Sequence, residues 1–70
     1  MSARGDMIVA SLTSEWRSTR DILDSCEAAE GISTSAVYHT LNMAVKYRQA
    51  EKRVVEPKPG VRVAEWRRAP

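Results

Sequence analysis

Seventy residues suffice for one small domain, and a hydrophobic content of 43% is ordinary for a globular protein. One cysteine excludes an internal disulfide, and one cysteine with one histidine cannot supply the four ligands of a structural zinc site. No apolar stretch approaches the ~20 residues of a membrane span, and the apolar run at 7–10 is too short for a signal-peptide core. We therefore expect a cytoplasmic protein that uses no membrane, metal or cofactor.

The formal net charge of +2 conceals an uneven distribution of charge along the chain. Residues 1–30 carry three basic and six acidic side chains, a net −3, whereas residues 31–70 carry eight basic and three acidic ones, a net +5. A basic second half suits a polyanionic partner such as nucleic acid. An unevenly charged, solvated surface explains the same pattern, so charge alone leaves both readings open.

The first helix is predicted to follow a flexible tail at residues 1–5. Asp6 is a residue type that caps helices, so the helix is expected to begin at Met7. Apolar residues recur on one of its faces at helical spacing, namely Ile8, Val9 and Leu12. A short extended link at Trp16 and Arg17 is expected to follow it.

A second helix is predicted from the capping-box pattern that runs from Ser18 to Asp21. Gly31 is expected to end this helix, because glycine readily adopts the left-handed conformation found at helix ends. The buried stripe is predicted to contain Ile22, Leu23, Cys26 and Ala29, with Cys26 as a small core residue.

The third helix is predicted over about 33–48, starting from the cluster Ser33-Thr34-Ser35. Val37, Leu41 and Ala44 recur at helical spacing and define its buried side, with Val45 beside them. Beyond it the pattern changes, because residues 50–56 and 61–67 are rich in strand-forming residues and flank Pro57-Lys58-Pro59-Gly60. Such a dense turn signal between two strands predicts a β-hairpin.

Three helices followed by a basic hairpin resemble the winged helix-turn-helix family of bacterial and phage DNA-binding proteins. The resemblance covers residues 6–68 and is carried by segments 7–12, 18–23, 33–45 and 52–67. It implies an α+β fold in which a three-helix bundle carries a C-terminal β-hairpin, the wing. This chain departs from the family in two places: the stretch from Ile22 to Ser33 is about one helical turn longer than in its tightest members, and Arg48 stands where many members have glycine.

The resemblance implies sequence-specific binding of double-stranded DNA, as a small transcriptional regulator or a phage-type accessory protein. The third helix would enter the major groove, which admits one α-helix, and the wing (about 50–67) would meet the backbone or the minor groove. Asn42 is expected to pair with adenine, on a single exposed strip shared with Thr34, Ser35 and Tyr38. The full set of candidate DNA-binding residues is Thr34, Ser35, Tyr38, His39, Asn42 and Lys46 in the helix and Lys52, Arg53, Lys58 and Arg62 in the wing.

Other functions are weighed against DNA binding. The main alternative is a winged-helix module that docks onto protein without binding DNA, and a homodimer stays open. Trp16 and Trp66 are expected in the core or on a hairpin face, not on a stacking platform for single strands. We expect no enzyme and no small-molecule substrate, since the sequence contains no phosphate-binding glycine loop, no nucleophile with a base and no apolar carboxylate pair.

Overall fold

A computed structural model describes residues 3–70 as an α+β domain. Three α-helices, α1 (Ala3–Ala10), α2 (Thr19–Ser25) and α3 (Thr34–Lys46), combine with three strands, β1 (Arg17–Ser18), β2 (Ala50–Lys58) and β3 (Val61–Arg68). The strands form one antiparallel sheet in the order β1-β3-β2. The predicted order of helix, short strand, helix, turn, helix and hairpin is confirmed.

The start of α1 differs from the prediction. The helix already includes Ala3, so residues 3–5 of the predicted tail are helical, while residues 1–2 lie outside the described part of the chain. Asp6 therefore does not cap the helix but lies in its first turn, where a carboxylate interacts favourably with the helix dipole.

The second helix begins as predicted and ends earlier than predicted. Ser18 Oγ accepts a hydrogen bond from the backbone N–H of Asp21 at 3.0 Å, which confirms the cap. Cys26 then leaves the helical conformation, and a 3₁₀ turn at Glu27–Ala29 follows. Gly31 comes after that turn, with the left-handed φ of 77°. The 3₁₀ turn therefore takes up the extra residues between Ile22 and Ser33.

The third helix presents the predicted apolar side to the core. Ser33 Oγ accepts from the N–H of Ala36 at 3.2 Å, so the helix starts at Thr34. Val37, Leu41 and Ala44 are buried, as predicted. The helix ends at Lys46, and Arg48 makes the turn into β2 with a left-handed φ of 60°.

The hydrophobic core lies between the helices and one face of the sheet. The hairpin contributes two buried residues, Ala50 and Trp66, and Trp66 is the largest fully buried side chain. Its indole N–H donates to Thr19 Oγ1 at 2.8 Å, which satisfies the only polar atom of the ring. The core predictions for Trp66 and for the third helix are thus confirmed. Among the residues whose burial the structure describes, the buried ones are Ile8, Leu12, Ile22, Ala29, Val37, Leu41, Ala44, Ala50 and Trp66.

The pairing register assigns each hairpin residue to one of two sheet faces. Lys52 pairs with Trp66 and Arg53 pairs with Glu65, up to a bulge between Val55 and Lys58. Directly opposed residues share a face and successive residues alternate. We call the face that carries Trp66 the inner face, since Trp66 meets the helices, and the opposite one the outer face.

Shortening Leu41 tests the core assignment. Leu41 has no exposed surface, so Leu41→Ala should lower the free energy of unfolding by about 2–5 kcal/mol. Urea denaturation followed by circular dichroism measures this. Lys46→Ala, on the exposed side of the same helix, should cost less than about 0.5 kcal/mol, and equal losses in both variants would contradict the assignment.

The turn at Arg48 should gain stability from glycine. A left-handed conformation costs an L-residue with a side chain roughly 1–2 kcal/mol, and glycine avoids this cost. Part of the resulting gain in stability is offset, because glycine has more conformational entropy in the unfolded chain. Arg48→Gly should therefore raise the free energy of unfolding by about 0.5–1 kcal/mol. Arg48→Ala keeps the side-chain clash and should not. A Gly variant no more stable than the Ala variant would contradict this reading of the turn.

Candidate nucleic-acid interface

One row of side chains along α3 faces solvent. Ser35, His39 and Lys46 are exposed and follow each other at intervals of four and seven residues, on the side opposite Val37 and Leu41. The sequence of α3 contains no acidic residue. The row therefore offers a hydroxyl, an imidazole and an ammonium group without a neighbouring carboxylate on the same helix.

Tyr38 and Asn42 belong to a different part of the helix surface. Lys52 Nζ, on the hairpin, donates to Tyr38 Oη at 2.6 Å and to Asn42 Oδ1 at 3.4 Å. The ring of Tyr38 also packs edge-on against Trp66, with centroids 5.3 Å apart. Of the expected exposed strip, Thr34, Ser35 and Tyr38 are exposed, Tyr38 to 38%, whereas Asn42 is half-buried.

The Lys52 contact changes the acidity of Tyr38. The pKa of Tyr38 lies below its ordinary value of 10.0, chiefly because the hydrogen bond from Lys52 favours the tyrosinate. Desolvation opposes this change in pKa, whereas the hydrogen bond with Asn42 and the charge of Lys52 add to it. A lowered pKa adds stability that is present above the unfolded pKa and is lost as the pH falls through the folded pKa.

The inner face of the hairpin carries cations. Lys52 lies there opposite Trp66, and Arg62 borders a cleft that it shares with Thr34 and Tyr38 of α3. Lys58 lies at the exposed tip beside the turn. Among the described residues, no carboxylate forms an ion pair with Lys46, Lys58 or Arg62.

The outer face of the hairpin carries paired charges. Arg53 bonds to Glu65 and Arg67 bonds to Glu51, each at 2.7 Å. Both guanidinium carbons lie 4.5 Å from the ring centroid of Trp16, which confirms the expected hairpin-face position for this tryptophan. Arg53, one of the expected DNA-binding residues of the wing, therefore lies on the sheet face that points away from α3.

The sequence contained a signal that separates Lys52 from Arg53. The two residues are neighbours in one strand, so they must point to opposite faces. Both residues were expected as wing cations, and the contact of Lys52 with Tyr38 was not predicted. The alternation could have identified one member as facing outward; which member it was required the register with Trp66.

No three His, Cys, Asp or Glu side chains among the described residues are grouped so that they could hold a metal ion. None of the helices described between residues 3 and 70 is long and apolar enough to cross a membrane.

No family model, curated protein or solved structure matches this chain. The assignment of a role to the surface formed by α3 and the inner face of the hairpin therefore depends on its geometry and charge.

Proposed function

We propose that this protein binds double-stranded DNA in the manner of a winged helix-turn-helix domain. The observation that carries the proposal is the sorting of charge around the hairpin. Carboxylates Glu51 and Glu65 lie on the outer face in ion pairs, whereas Lys52 and Arg62, which have no ion-pair partner among the described residues, lie beside the acid-free surface of α3. A surface of this kind favours a polyanion over a neutral partner.

The dimensions of α3 suit the major groove. Thirteen residues form a helix about 20 Å long, and the groove is about 12 Å wide. In this arrangement Ser35 and His39 face base edges, because they occupy the exposed row in the first two turns. Lys46 lies farther along that row and meets a phosphate.

The hairpin extends the contact to the DNA backbone. Arg62 lies near the N-terminal turns of α3, at the cleft that contains Thr34 and Tyr38. Lys58 lies between two prolines at the tip, so its backbone is stiff and its ammonium group exposed. These cations supply affinity for any sequence, whereas the helix supplies specificity, as a small transcriptional regulator or a phage-type accessory protein requires.

Binding should depend steeply on salt. Three to five phosphate contacts give a log–log slope of roughly −3 to −5 for the association constant against salt concentration. Fluorescence anisotropy with a labelled duplex of random sequence, measured between about 50 and 200 mM salt, provides the slope. Absence of binding at every salt concentration would contradict the proposal and favour a protein-docking module.

Two arginines on opposite faces of the hairpin provide a matched comparison. Arg62→Met should weaken binding to all sequences and reduce the salt slope by about one, because the cation meets phosphate. Arg53→Met removes the same group from the outer face and should leave the slope unchanged, at a cost in stability of at most about 1 kcal/mol. Equal effects on binding would show that the DNA does not select the inner face.

A further inference from the structure

The ammonium group of Lys52 is enclosed by α3 and the hairpin. Besides its hydrogen bonds to Tyr38 and Asn42, it lies 4.6 Å from the ring centroid of Tyr38 and 5.2 Å from that of Trp66. Two of its three N–H donors thus have protein acceptors, and the charge rests against two aromatic rings. Lys58 and Arg62, in contrast, have exposed head groups without an ion-pair partner in the described chain.

Lys52 holds the hairpin where it leaves the body of the domain. Ala50 and Trp66 anchor the base of the hairpin in the core, whereas Val54, two residues beyond Lys52 on the same face, is 56% exposed. Among the hydrogen bonds of the described residues that join this face of the hairpin to α3, those of Lys52 lie nearest the tip. A contact at this position can set the orientation, relative to α3, of the part of the hairpin beyond Lys52.

We propose that Lys52, Tyr38 and Asn42, here called the Lys52 clamp, fix the orientation of the hairpin against α3 and do not themselves contact DNA. Lys52 is then a positioning residue, and the clamp keeps Lys58 and Arg62 at a set distance from the exposed row of α3. The Oδ1 atom of Asn42 accepts a hydrogen bond from Lys52 in the clamp, so Ser35 and His39 are the residues that read bases. The DNA part of this inference rests on the proposed function, whereas the orientation of the hairpin does not.

The clamp is tested first in the free protein, with Lys52→Met and the matched control Lys58→Met. Each removes one ammonium group from β2, but only the first removes the link to α3. Residual dipolar couplings report the orientation of the β2–β3 hairpin relative to α3. We expect a change in Lys52→Met and none in Lys58→Met, together with a return of the Tyr38 pKa towards its ordinary value in Lys52→Met alone. A wild-type orientation in Lys52→Met would overturn the inference.

Tyr38→Phe provides a second test of the clamp, which applies even if Lys52→Met does not fold. It removes the hydroxyl acceptor and retains the ring that packs on Trp66, so the core contact stays. We expect the same direction of hairpin movement as in Lys52→Met, and an unmoved hairpin would again overturn the clamp.

A double-mutant cycle with DNA then separates positioning from direct contact. If the clamp aims the hairpin, Lys58→Met lowers the affinity of the wild-type background and has at least about threefold less effect in the Lys52→Met background. If Lys52 is one more phosphate contact, the two losses multiply independently, which would overturn the proposal. Wild-type protein that binds no DNA would refute the proposed function alone, since the measurements on free protein still decide the clamp.

Asn42→Ala tests the role of its amide. As part of the clamp, Asn42 should matter equally for the preferred site and for random DNA, so both affinities fall by the same factor. A loss at least about tenfold larger on the preferred site would show that Asn42 reads a base and would overturn its assignment to the clamp.

Discussion

The burial of Trp66 is the interaction on which the rest of this structure depends. Its ring packs against Tyr38 of α3, its N–H donates to Thr19 of α2, and its backbone pairs with Arg17 of β1. Burying a tryptophan removes on the order of 200 Å² from water, which corresponds to about 5 kcal/mol. Ala50 is the other buried residue of the hairpin and Ala64 packs partly against the core, so this one side chain makes the hairpin's largest contribution to the core.

Fixing Trp66 also fixes the chemistry of both sheet faces. Once it points inward, strand alternation sends Arg67 outward, and the cross-strand partner of Trp66 must be inner, which places Lys52 beside α3 and Arg53 away from it. Charges that look interchangeable in the sequence thus acquire different surroundings. Lys52 gains oxygen and aromatic partners from α3, whereas Arg53 gains a carboxylate and the ring of Trp16.

Local signals explain which parts of the fold the sequence could predict. The caps at Ser18 and Ser33 and the apolar side of α3 depend on residues within a few positions of each other, and these predictions agree with the structure. The start of α1 was misplaced because Asp6, a residue type that caps helices, suggested a start at Met7, although the helix already includes Ala3. The end of α2 was misplaced because Gly31 is a strong stop signal, although the chain already leaves the helix at Cys26.

The surroundings of Tyr38 and Asn42 could not be predicted in the same way. Helical periodicity places both away from Val37, but whether that side faces solvent depends on a strand ten or more residues later. The register of that strand follows from the pairing of Lys52 with Trp66, a long-range contact that no local pattern encodes. The candidate interface was therefore predictable as a region, and its division into free and clamped residues was not.

The fold tolerates a cationic surface because the electrostatic cost of that surface is small. Exposed ammonium and guanidinium groups remain solvated, and at physiological salt their mutual repulsion is screened beyond about 8 Å.

The outer ion pairs Arg53–Glu65 and Arg67–Glu51 lie partly in solvent, where such pairs contribute at most about 1 kcal/mol each. Their larger effect is on location, since they hold two of the hairpin's three carboxylates on the far side of the sheet. The third, Glu56, accepts the N–H of Gly60 in the turn. The pairing register that forms these two ion pairs therefore also keeps Glu51 and Glu65 off the face beside α3.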